Sequence, residues 1–591
     1  MERIHTVAEF LKLIERDCRK EAAFFEKAEK GWVSLSHQEF LSQVKALAVY
    51  LRSCGVSKGA KVGILALPGI RWTIADLAIM SCGGVTVPLF ANLSEENFLF
   101  ECQQTELKIL FVLGVDQREM YRKHTQLFEK VIALEQPFDQ PLDRPLDKEA
   151  ILFERAIEQG EQILKKSPQL FNHMQDEIVE SDVATIIYTS GSTGIPKGVV
   201  LTHKNLFLCT YHNPFGFSAA DRYLSLLPLA HIFGRTLNII AMRWNMTIYY
   251  FNDLKELGTA AREVKPTFLI AVPRLLERVY AKMVGRVNEA KCLKRSLGQW
   301  AFTLANSGPS LKHTLLHPIA DKMVYERLRN ALGGHVRLVI SGGAALNPSL
   351  IHFFNDVGIP IYEGFGMTEA SISFYNTPEN CKVGTVGQPD PQVEAKISPE
   401  GELLIRSDIV FKEYYQNHKK TAETIDKHGW LHTGDLASMD SEGFVTILGR
   451  VQELVKTSVG EWVAELPLEQ ELSSAPFIDF AMVVAEKRKF VSALIFPNFE
   501  VVESLKAEQG LGHLTNEEYL QSEAIQREMQ KLLEKINAHH NHWEQIRDYR
   551  FVIATASIEG GELTPTLKIR RDFVQEKYKD LIKDIYSDPE K

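Results

Sequence analysis

The chain has 591 residues, a net charge of −9 and an isoelectric point near 6.1. This length exceeds one ordinary domain of roughly 100–200 residues, so we expect two or more domains. Apolar residues make up 45% and charged residues 24%, which is typical of a globular enzyme and excludes a disordered or collagen-like chain. The acidic balance argues against nucleic-acid binding through broad neutralisation of phosphates.

Short β-rich runs alternate with longer helical patterns from about residue 60 to residue 360. The runs lie at 61–67, 108–115, 183–190, 267–273 and 336–343. Continuous apolar runs are typical of strands buried on both faces, so the pattern predicts a mostly parallel α/β sheet with flanking helices. Ligands bind at the carboxyl ends of such strands.

The sequence pattern changes beyond residue 380. Short strands and turns follow, at 400–407 and 443–450 among others, and the last 140 or so residues read as a separate small α+β unit. Within that unit, 480–486 and 490–498 predict a hairpin. Thr515 and Glu518 form a capping box, and apolar residues at helical spacing predict one helix from there to Ile536.

Several features bear on the cellular setting. The seven cysteines include no C-x-x-C pair, which indicates a reducing compartment and no structural zinc site. The first 20 residues lack the apolar core of a secretory signal, and no run of 18 apolar residues predicts a membrane span. We therefore predict a cytoplasmic protein, for which composition leaves peripheral membrane contact open.

Two other segments invite a functional interpretation that the residues do not favour. The Pro- and Asp-rich stretch at 135–149 predicts an exposed loop. The histidines at 539, 540 and 542 end a polar helix without cysteines or carboxylates arranged around them. We interpret these histidines as a solvated face, not as a metal site.

The most informative stretch is IIYTSGSTGIPKGVVLTH at 186–203. A buried strand runs into glycines and hydroxyl residues, whose N–H and O–H groups can face an anion, and Lys197 adds a point charge. Pro196 and Gly198 flank that lysine, so the pattern of the P-loop NTPases fails. The segment therefore predicts a phosphate-binding loop of another kind.

This loop resembles the one in adenylate-forming enzymes, the family of acyl-CoA synthetases, luciferases and peptide-synthetase adenylation domains. Further segments similar to that family's motifs follow in its order: LPLAHIFGR at 227–235, ISGGAAL at 340–346, YEGFGMTEAS at 362–371, WLHTGD at 430–435, ILGR at 447–450 and GELTPTLKIRR at 561–571. The segments 265–280 and 570–586 are most like those of long-chain fatty acyl-CoA synthetases. The resemblance covers about residues 30 to 585.

The resemblance implies roles for individual residues. ATP would be held by Thr189, Ser190, Gly191, Ser192, Thr193, Gly194, Lys197, Gly342, Gly343, Ala344, Glu363, Gly364, Phe365, Gly366, Met367, Asp435 and Arg450. Phe365 would stack on adenine, and Asp435 would accept the ribose hydroxyls. Thr368 would touch the α-phosphate, Glu369 would bind Mg²⁺, and His231 would lie beside the acyl carboxylate.

The implied activity is the conversion of a medium- or long-chain fatty acid to an acyl-adenylate and then to acyl-CoA, with ATP, Mg²⁺ and coenzyme A. Two alternatives remain open at this point. The acyl group could pass to the phosphopantetheine of a carrier protein, or the chain could be a non-catalytic relative that binds nucleotide or lipid.

The resemblance also implies a large N-terminal domain at 1–449, with a small β-rich subdomain, and a small mobile domain at 450–591. The hinge would lie at 449–452. Lys568 would stabilise charge during adenylation and Lys456 would serve thioester formation, with the C-terminal domain rotating between the two steps. Gln452 stands where the family has Asp or Lys, and Glu465 where proline is expected.

Overall fold

A computed structural model of the protein describes residues 2–28, 31–134, 150–189, 196–308, 310–451, 454–557, 560–563 and 569–587. The predicted loop at 135–149 lies outside these residues. Within them, no helix is long and apolar enough to cross a membrane.

The strands, in chain order, are β1 (Phe24–Ala28), β2 (Gly31–Leu35), β3 (Lys61–Leu65), β4 (Val85–Leu89), β5 (Ile109–Val112), β6 (Lys130–Ala133), β7 (Ala150–Leu152), β8 (Val183–Thr189), β9 (Lys197–Thr202), β10 (Arg222–Ser225), β11 (Thr247–Tyr250), β12 (Phe268–Ala271), β13 (Leu338–Ser341), β14 (Ile361–Met367), β15 (Ser371–Tyr375), β16 (Gln388–Pro389), β17 (Glu394–Ile397), β18 (Glu402–Arg406), β19 (Glu413–Tyr414), β20 (Leu431–Met439), β21 (Val445–Arg450), β22 (Leu454–Lys456), β23 (Trp462–Ala464), β24 (Ile478–Val484), β25 (Val491–Pro497) and β26 (Ile546–Phe551).

The α-helices are α1 (Val7–Asp17), α2 (His37–Ser53), α3 (Ile70–Ser81), α4 (Glu95–Gln104), α5 (Val115–Lys123), α6 (Phe153–Lys166), α7 (Leu170–Asp176), α8 (His203–Leu208), α9 (Ile232–Arg243), α10 (Leu257–Val264), α11 (Pro273–Asn288), α12 (Cys292–Ala305), α13 (Leu311–Ala320), α14 (Glu326–Ala331), α15 (Pro348–Val357), α16 (His418–Thr424), α17 (Glu465–Leu472), α18 (Phe499–Glu508), α19 (Asn516–Leu520), α20 (Glu523–Asn537), α21 (Arg571–Lys577) and α22 (Lys579–Ile585). A π-helical segment, Asp321–Tyr325, joins α13 to α14.

Two large sheets form the body of the protein. Their strand orders are β16-β15-β14-β13-β12-β10-β11-β1-β2 and β19-β9-β8-β4-β3-β5-β6-β7. The central strands pair in parallel, as β3 does with β4 and β5, and β12 with β13. All four residues of β5, β12 and β13 are buried, because helices cover both faces of the sheets. The prediction of mostly parallel α/β sheets is confirmed.

A buried ion pair joins the two large sheets. Arg235, on α9, is 1% exposed and donates through Nε to Oδ2 of Asp76, on α3, at 2.8 Å. Its Nη1 donates to the hydroxyl of Thr185, on β8, at 2.7 Å. Arg235 belongs to the segment LPLAHIFGR, and this geometry gives it a packing role, since removing one partner would leave a buried charge uncompensated.

A β-rich subdomain and a C-terminal unit follow the large sheets. The subdomain is the four-stranded sheet β17-β18-β20-β21. In the C-terminal unit, β24 and β25 form the predicted antiparallel hairpin and β26 pairs in parallel with β25. Two apolar clusters whose buried members all lie between Val463 and Ile585 form its core.

The single helix predicted from Thr515 to Ile536 is wrong. Thr515 forms the predicted capping box, but α19 ends at Leu520. Ser522 then adopts an extended backbone as the N-cap residue of α20, and its hydroxyl donates to the carbonyl oxygen of Tyr519 at 2.7 Å. The side chain thus stabilises a turn that divides the apolar pattern between two helices.

Glu465 starts α17 where the resemblance led us to expect proline. Its side chain is buried, and Oε2 lies 2.8 Å from Nη1 of Arg571. It also accepts a hydrogen bond from the backbone N–H of Ala485 at 3.2 Å. Arg571 is the last residue of the segment 561–571, so this pair fixes one end of the segment predicted to carry the catalytic lysine.

Candidate active site

The two ends of the predicted phosphate loop lie opposite each other. Thr189 ends β8, Lys197 begins β9, and the two residues are register partners in an antiparallel pair. Ser190, Gly191, Ser192, Thr193 and Gly194 lie outside the described residues. Partial burial lowers the pKa of Lys197, while the carboxylate of Glu369 acts in the opposite direction.

Glu369 is held in place by a tyrosine that the sequence analysis did not identify. The hydroxyl of Tyr414, on β19, donates to Oε1 of Glu369 at 2.7 Å, and Glu369 is only 8% exposed. The ammonium group of Lys197 lies 5.8 Å from the centre of the Tyr414 ring. A lysine, a phenol and a carboxylate from three separate segments thus meet at one place.

Asp435 and Arg450 form the second polar element of the site. They face each other across β20 and β21, with Oδ1 of Asp435 2.9 Å from Nε of Arg450. Asp435 is buried, whereas the Arg450 side chain is 42% exposed. Burial raises the pKa of the Tyr414 phenol; the charge of Glu369 raises it further and that of Arg450 lowers it.

Glycines allow the segment 342–346 and the strand β14 to approach each other closely. Gly343 has φ +86°, a conformation that favours glycine. A Cβ on Gly366 would lie 2.1 Å from the carbonyl oxygen of Ser371, so no side chain fits there. The segment 342–346 is held to β14 because Leu346 donates its N–H to the Glu363 carboxylate at 3.1 Å.

Glu363 is buried beneath this segment, and burial raises its pKa to about 7. The observed contact is with the protein backbone, which supports a role in shaping the glycine segment.

An apolar cavity opens beside the glycines. Its wall includes the predicted site residues His231, Gly342, Gly343, Gly364, Phe365 and Gly366. Its apolar side is formed by Phe215, Phe217, Phe233, Leu237, Ile240, Ile340 and Ile372. Phe365 packs edge-on against Phe374 at 5.8 Å between ring centres. A mostly apolar cavity with a few polar groups at one end is typical of a site for an amphipathic ligand.

His231 lies at the boundary between the cavity and α9. It is the N-cap residue of this helix, and its Nδ1 accepts the backbone N–H of Phe233 at 3.2 Å. This hydrogen bond leaves Nε2 as the nitrogen that carries the proton in the neutral ring. A donor of this kind suits a carboxylate in the cavity.

A second polar cluster on the same wall was also missed. The hydroxyl of Tyr375 donates to Asp390 at 2.7 Å, and Nδ1 of His212 lies 3.1 Å from the same carboxylate. The three residues are separated in the sequence and belong to no motif. Only the pairing of β15 with β16 brings Tyr375 and Asp390 together.

The remaining predicted residues are distributed as follows. Thr368 is buried next to Glu369, Met367 is half-buried at the end of β14, and Ala344 is exposed. Lys456 is exposed on the hairpin β22–β23, with its ammonium group 5.5 Å from the centre of the Trp462 ring. Lys568 and Gln452 lie outside the described residues.

The chain belongs to the family of AMP-binding enzymes. The family model described as "AMP-binding enzyme" matches residues 11–415, and that of the "AMP-binding enzyme C-terminal domain" matches residues 452–590. The motifs that carry the resemblance lie within these two ranges, apart from those at 430–435 and 447–450.

Among characterised proteins, the chain is similar to a long-chain-fatty-acid–CoA ligase of Mycobacterium bovis, with 33% identity over 94% of this chain and 93% of the relative. It is 30% identical to long-chain-fatty-acid–CoA ligase 5 of Rattus norvegicus, over 92% of this chain and 83% of the relative. Among solved structures, the adenylation domain of a Mycobacterium chelonae carboxylate reductase gives a TM-score of 0.74 at 20% identity, covering 99% of this chain and 91% of that chain. This last likeness shows the fold.

Proposed function

We propose that the protein is an AMP-forming fatty acid–CoA ligase that acts on medium- to long-chain acids. The observation that carries the proposal is the position of the Lys197, Tyr414 and Glu369 cluster near an apolar cavity whose wall includes His231 and the glycines of two motifs. Relatives of nearly the same length, named as long-chain-fatty-acid–CoA ligases, support the same activity.

The reaction has two steps. A carboxylate oxygen of the acid attacks the α-phosphorus of ATP, the bond from that phosphorus to the bridging oxygen breaks, and pyrophosphate leaves. The thiolate of coenzyme A then attacks the acyl carbonyl carbon, and AMP leaves with the electron pair of the broken C–O bond. Both steps require fixed positive charge beside the phosphates and exclusion of water from the reactive anhydride.

The described residues fit these requirements. Lys197 and the loop it follows would hold the β- and γ-phosphates, and the Asp435–Arg450 pair would hold the ribose. Glu369 offers a buried, oriented carboxylate, an oxygen donor of the type that Mg²⁺ accepts together with phosphate oxygens. Bound there, Mg²⁺ would offset the phosphate charge. His231 would orient the acid by donating from Nε2, and the backbone at Gly342–Ala344 would lie against the adenosine.

The apolar cavity predicts how activity depends on acyl chain length. Each additional buried CH₂ contributes up to about 0.8 kcal/mol, or roughly fourfold in kcat/KM. We expect kcat/KM to rise with chain length until the cavity is filled. An AMP-release assay over saturated acids from acetate upward, with CoA present, measures this dependence.

Variants of the cavity wall provide the control for chain length. Leu237→Phe and Ile240→Phe, both on the wall, should move the optimum to shorter acids, whereas Leu254→Phe on the exposed surface should leave it unchanged. Acetate or an aromatic acid as the best substrate would contradict the proposal. Product formed only with holo-carrier protein would indicate the carrier-dependent alternative, and ATP binding without acyl-AMP from any acid would indicate a non-catalytic relative.

The proposal includes a mobile C-terminal domain at 450–591. Support comes from its own apolar cores, and from Gly449, whose φ of +146° and open surroundings suit a pivot. In the present arrangement, ion pairs link the two parts of the chain: Arg274 with Asp479, and Arg295 with Glu508 at 3.1 Å. A rotation would have to break both pairs. The Arg295 and Glu508 side chains are 38% and 33% exposed, so that pair opposes rotation weakly. The Arg274 and Asp479 side chains are 13% and 17% exposed, and that pair opposes it more.

The proposed function extends to contact with anionic membrane surfaces, which dissolve the substrate. Large apolar side chains at four-residue spacing, Leu311, Leu315 and Ile319 on α13 and Met323 beyond it, are 80%, 68%, 49% and 42% exposed, and Leu293 on α12 is 83% exposed. We call these five residues the docking face. Between residues 291 and 323 the sequence has five basic residues and one acidic residue, in a chain that is negative overall, and such a face fits anionic headgroups.

Vesicle co-sedimentation tests this contact. We expect the protein to pellet with vesicles containing phosphatidylglycerol and much less with phosphatidylcholine alone, with binding that falls as salt rises. Leu311→Ser combined with Leu315→Ser should abolish pelleting, while Leu254→Ser combined with Val459→Ser, at exposed sites elsewhere, should not. Turnover of a water-soluble acid should stay unchanged in both. Equal pelleting of both double variants would contradict the docking face.

A further inference from the structure

Two histidines and one aspartate converge at the inner side of α13, away from the candidate active site. His313 and His317 are four residues apart and so share one face of the helix, and Asp356 lies near the end of α15. Nε2 of His313 is 2.8 Å from Oδ1 of Asp356. Nε2 of His317 is 2.9 Å from the backbone carbonyl oxygen of Asp356 and 3.7 Å from its Oδ2. One ligand atom from each residue lies within 4.8 Å of the others.

The three side chains of this cluster are mostly buried. The side chains of His313, His317 and Asp356 are 14%, 31% and 18% exposed. Oδ2 of Asp356 is buried and, among the described residues, has no hydrogen-bond donor. A single ion pair between His313 and Oδ1 therefore leaves the second oxygen unsatisfied, at a cost in free energy.

We propose that His313, His317 and Asp356 bind a divalent transition-metal ion of the Zn²⁺ type. Imidazole nitrogen and carboxylate oxygen are common Zn²⁺ ligands at about 2.0–2.2 Å, and ligand atoms around a tetrahedral ion are then about 3.3 Å apart. One ligand atom from each residue lies within 4.8 Å of the others, so small side-chain rotations would bring the three atoms to this spacing. Nε2 of His317 would then exchange its hydrogen bond to the Asp356 carbonyl oxygen for the ion. The exposed side of His317 gives water access to the fourth position. Mg²⁺ and Ca²⁺, which prefer oxygen ligands, do not suit a site with two imidazoles.

The bound ion would fasten α13 to α15. The docking face lies on the outer side of α13, whereas the two histidines lie on the inner side, so the ion would fix the orientation of that face without covering it. The inference does not rest on the proposed ligase activity, because neither helix side contributes to the cavity or to the polar clusters of the site.

The test uses the full-length, untagged protein after treatment with a chelator. Titration calorimetry with ZnCl₂ should show one saturable site, and CoCl₂ should give the visible bands of four-coordinate cobalt without the sulfur-to-metal band of a cysteine ligand. Loss of a residue that only hydrogen-bonds to a metal ligand typically weakens metal binding by roughly 10–100-fold. His313→Ala, His317→Ala and Asp356→Asn each alter a ligand itself, so each should weaken binding by at least that much.

His540→Ala is the matched control, because His540 also pairs with a carboxylate, that of Glu471, at 2.8 Å. It should bind the metal as the unaltered protein does. Hydrogen exchange of α13 and α15 should slow on addition of ZnCl₂ in the unaltered protein and not in His317→Gln, whose folding is checked by circular dichroism. Absence of a saturable site, or equal binding by His313→Ala and His540→Ala, would overturn the proposal.

Discussion

Glu369→Gln should lower the rate of acyl-AMP formation by about 10²-fold or more, the loss expected on removing one preorganised electrostatic group. The substitution keeps the shape of the side chain and removes its charge. Because Oε1 accepts the hydroxyl of Tyr414, a glutamine amide oxygen can keep that hydrogen bond and the local fold. ATP–pyrophosphate exchange measured across a magnesium titration isolates the adenylation step.

Two further variants make the Glu369 experiment specific. Tyr414→Phe removes the hydrogen bond that orients the Glu369 carboxylate, but the carboxylate keeps its charge. This variant should therefore lose less exchange activity than Glu369→Gln. Glu379→Gln, in an exposed turn of the same region, should leave exchange unchanged. If Glu369→Gln exchanged at the normal rate at every magnesium concentration, Glu369 would not be the metal ligand.

The fold could be predicted from sequence where local pattern and environment agree. The apolar runs at 61–67 and 267–273 become buried parallel strands because helices cover both faces, which is the condition that such runs indicate. The helix predicted through Ser522 failed because one side chain that stabilises a turn outweighed a continuous apolar period.

The site was less accessible to sequence reasoning. Motif order located Glu369 and Lys197, but Tyr414 reaches Glu369 only because β19 pairs with β9 from far along the chain. The residues of the proposed metal site were missed for the same reason. The adjacent histidines at 539–542 suggested a site by proximity in sequence, whereas His313 and Asp356 meet through packing between two helices. Contacts of this kind leave no periodicity in the sequence.

Lys568→Ala should abolish acyl-AMP formation yet still convert preformed acyl-AMP and CoA to thioester, and Lys456→Ala should do the reverse and accumulate adenylate. The two lysines are 112 residues apart within the 142-residue stretch 450–591. Lys456 is exposed on the hairpin β22–β23. The segment 561–571, which includes Lys568, is anchored at its C-terminal end by the ion pair between Arg571 and Glu465. Two lysines at distant positions of one small domain can reach the same bound nucleotide only one after the other. Such an exchange requires a hinge rotation of the domain.

The half-reactions are measured separately, by pyrophosphate exchange and by single-turnover thioesterification of synthetic acyl-AMP. Lys579→Ala and Lys487→Ala, both exposed lysines of the same domain, control for the loss of a positive charge and should affect neither step. Equal loss of both half-reactions from each lysine substitution would contradict the separate roles of the two lysines. The proposal of an adenylation site at Lys197, Tyr414 and Glu369 does not depend on that outcome.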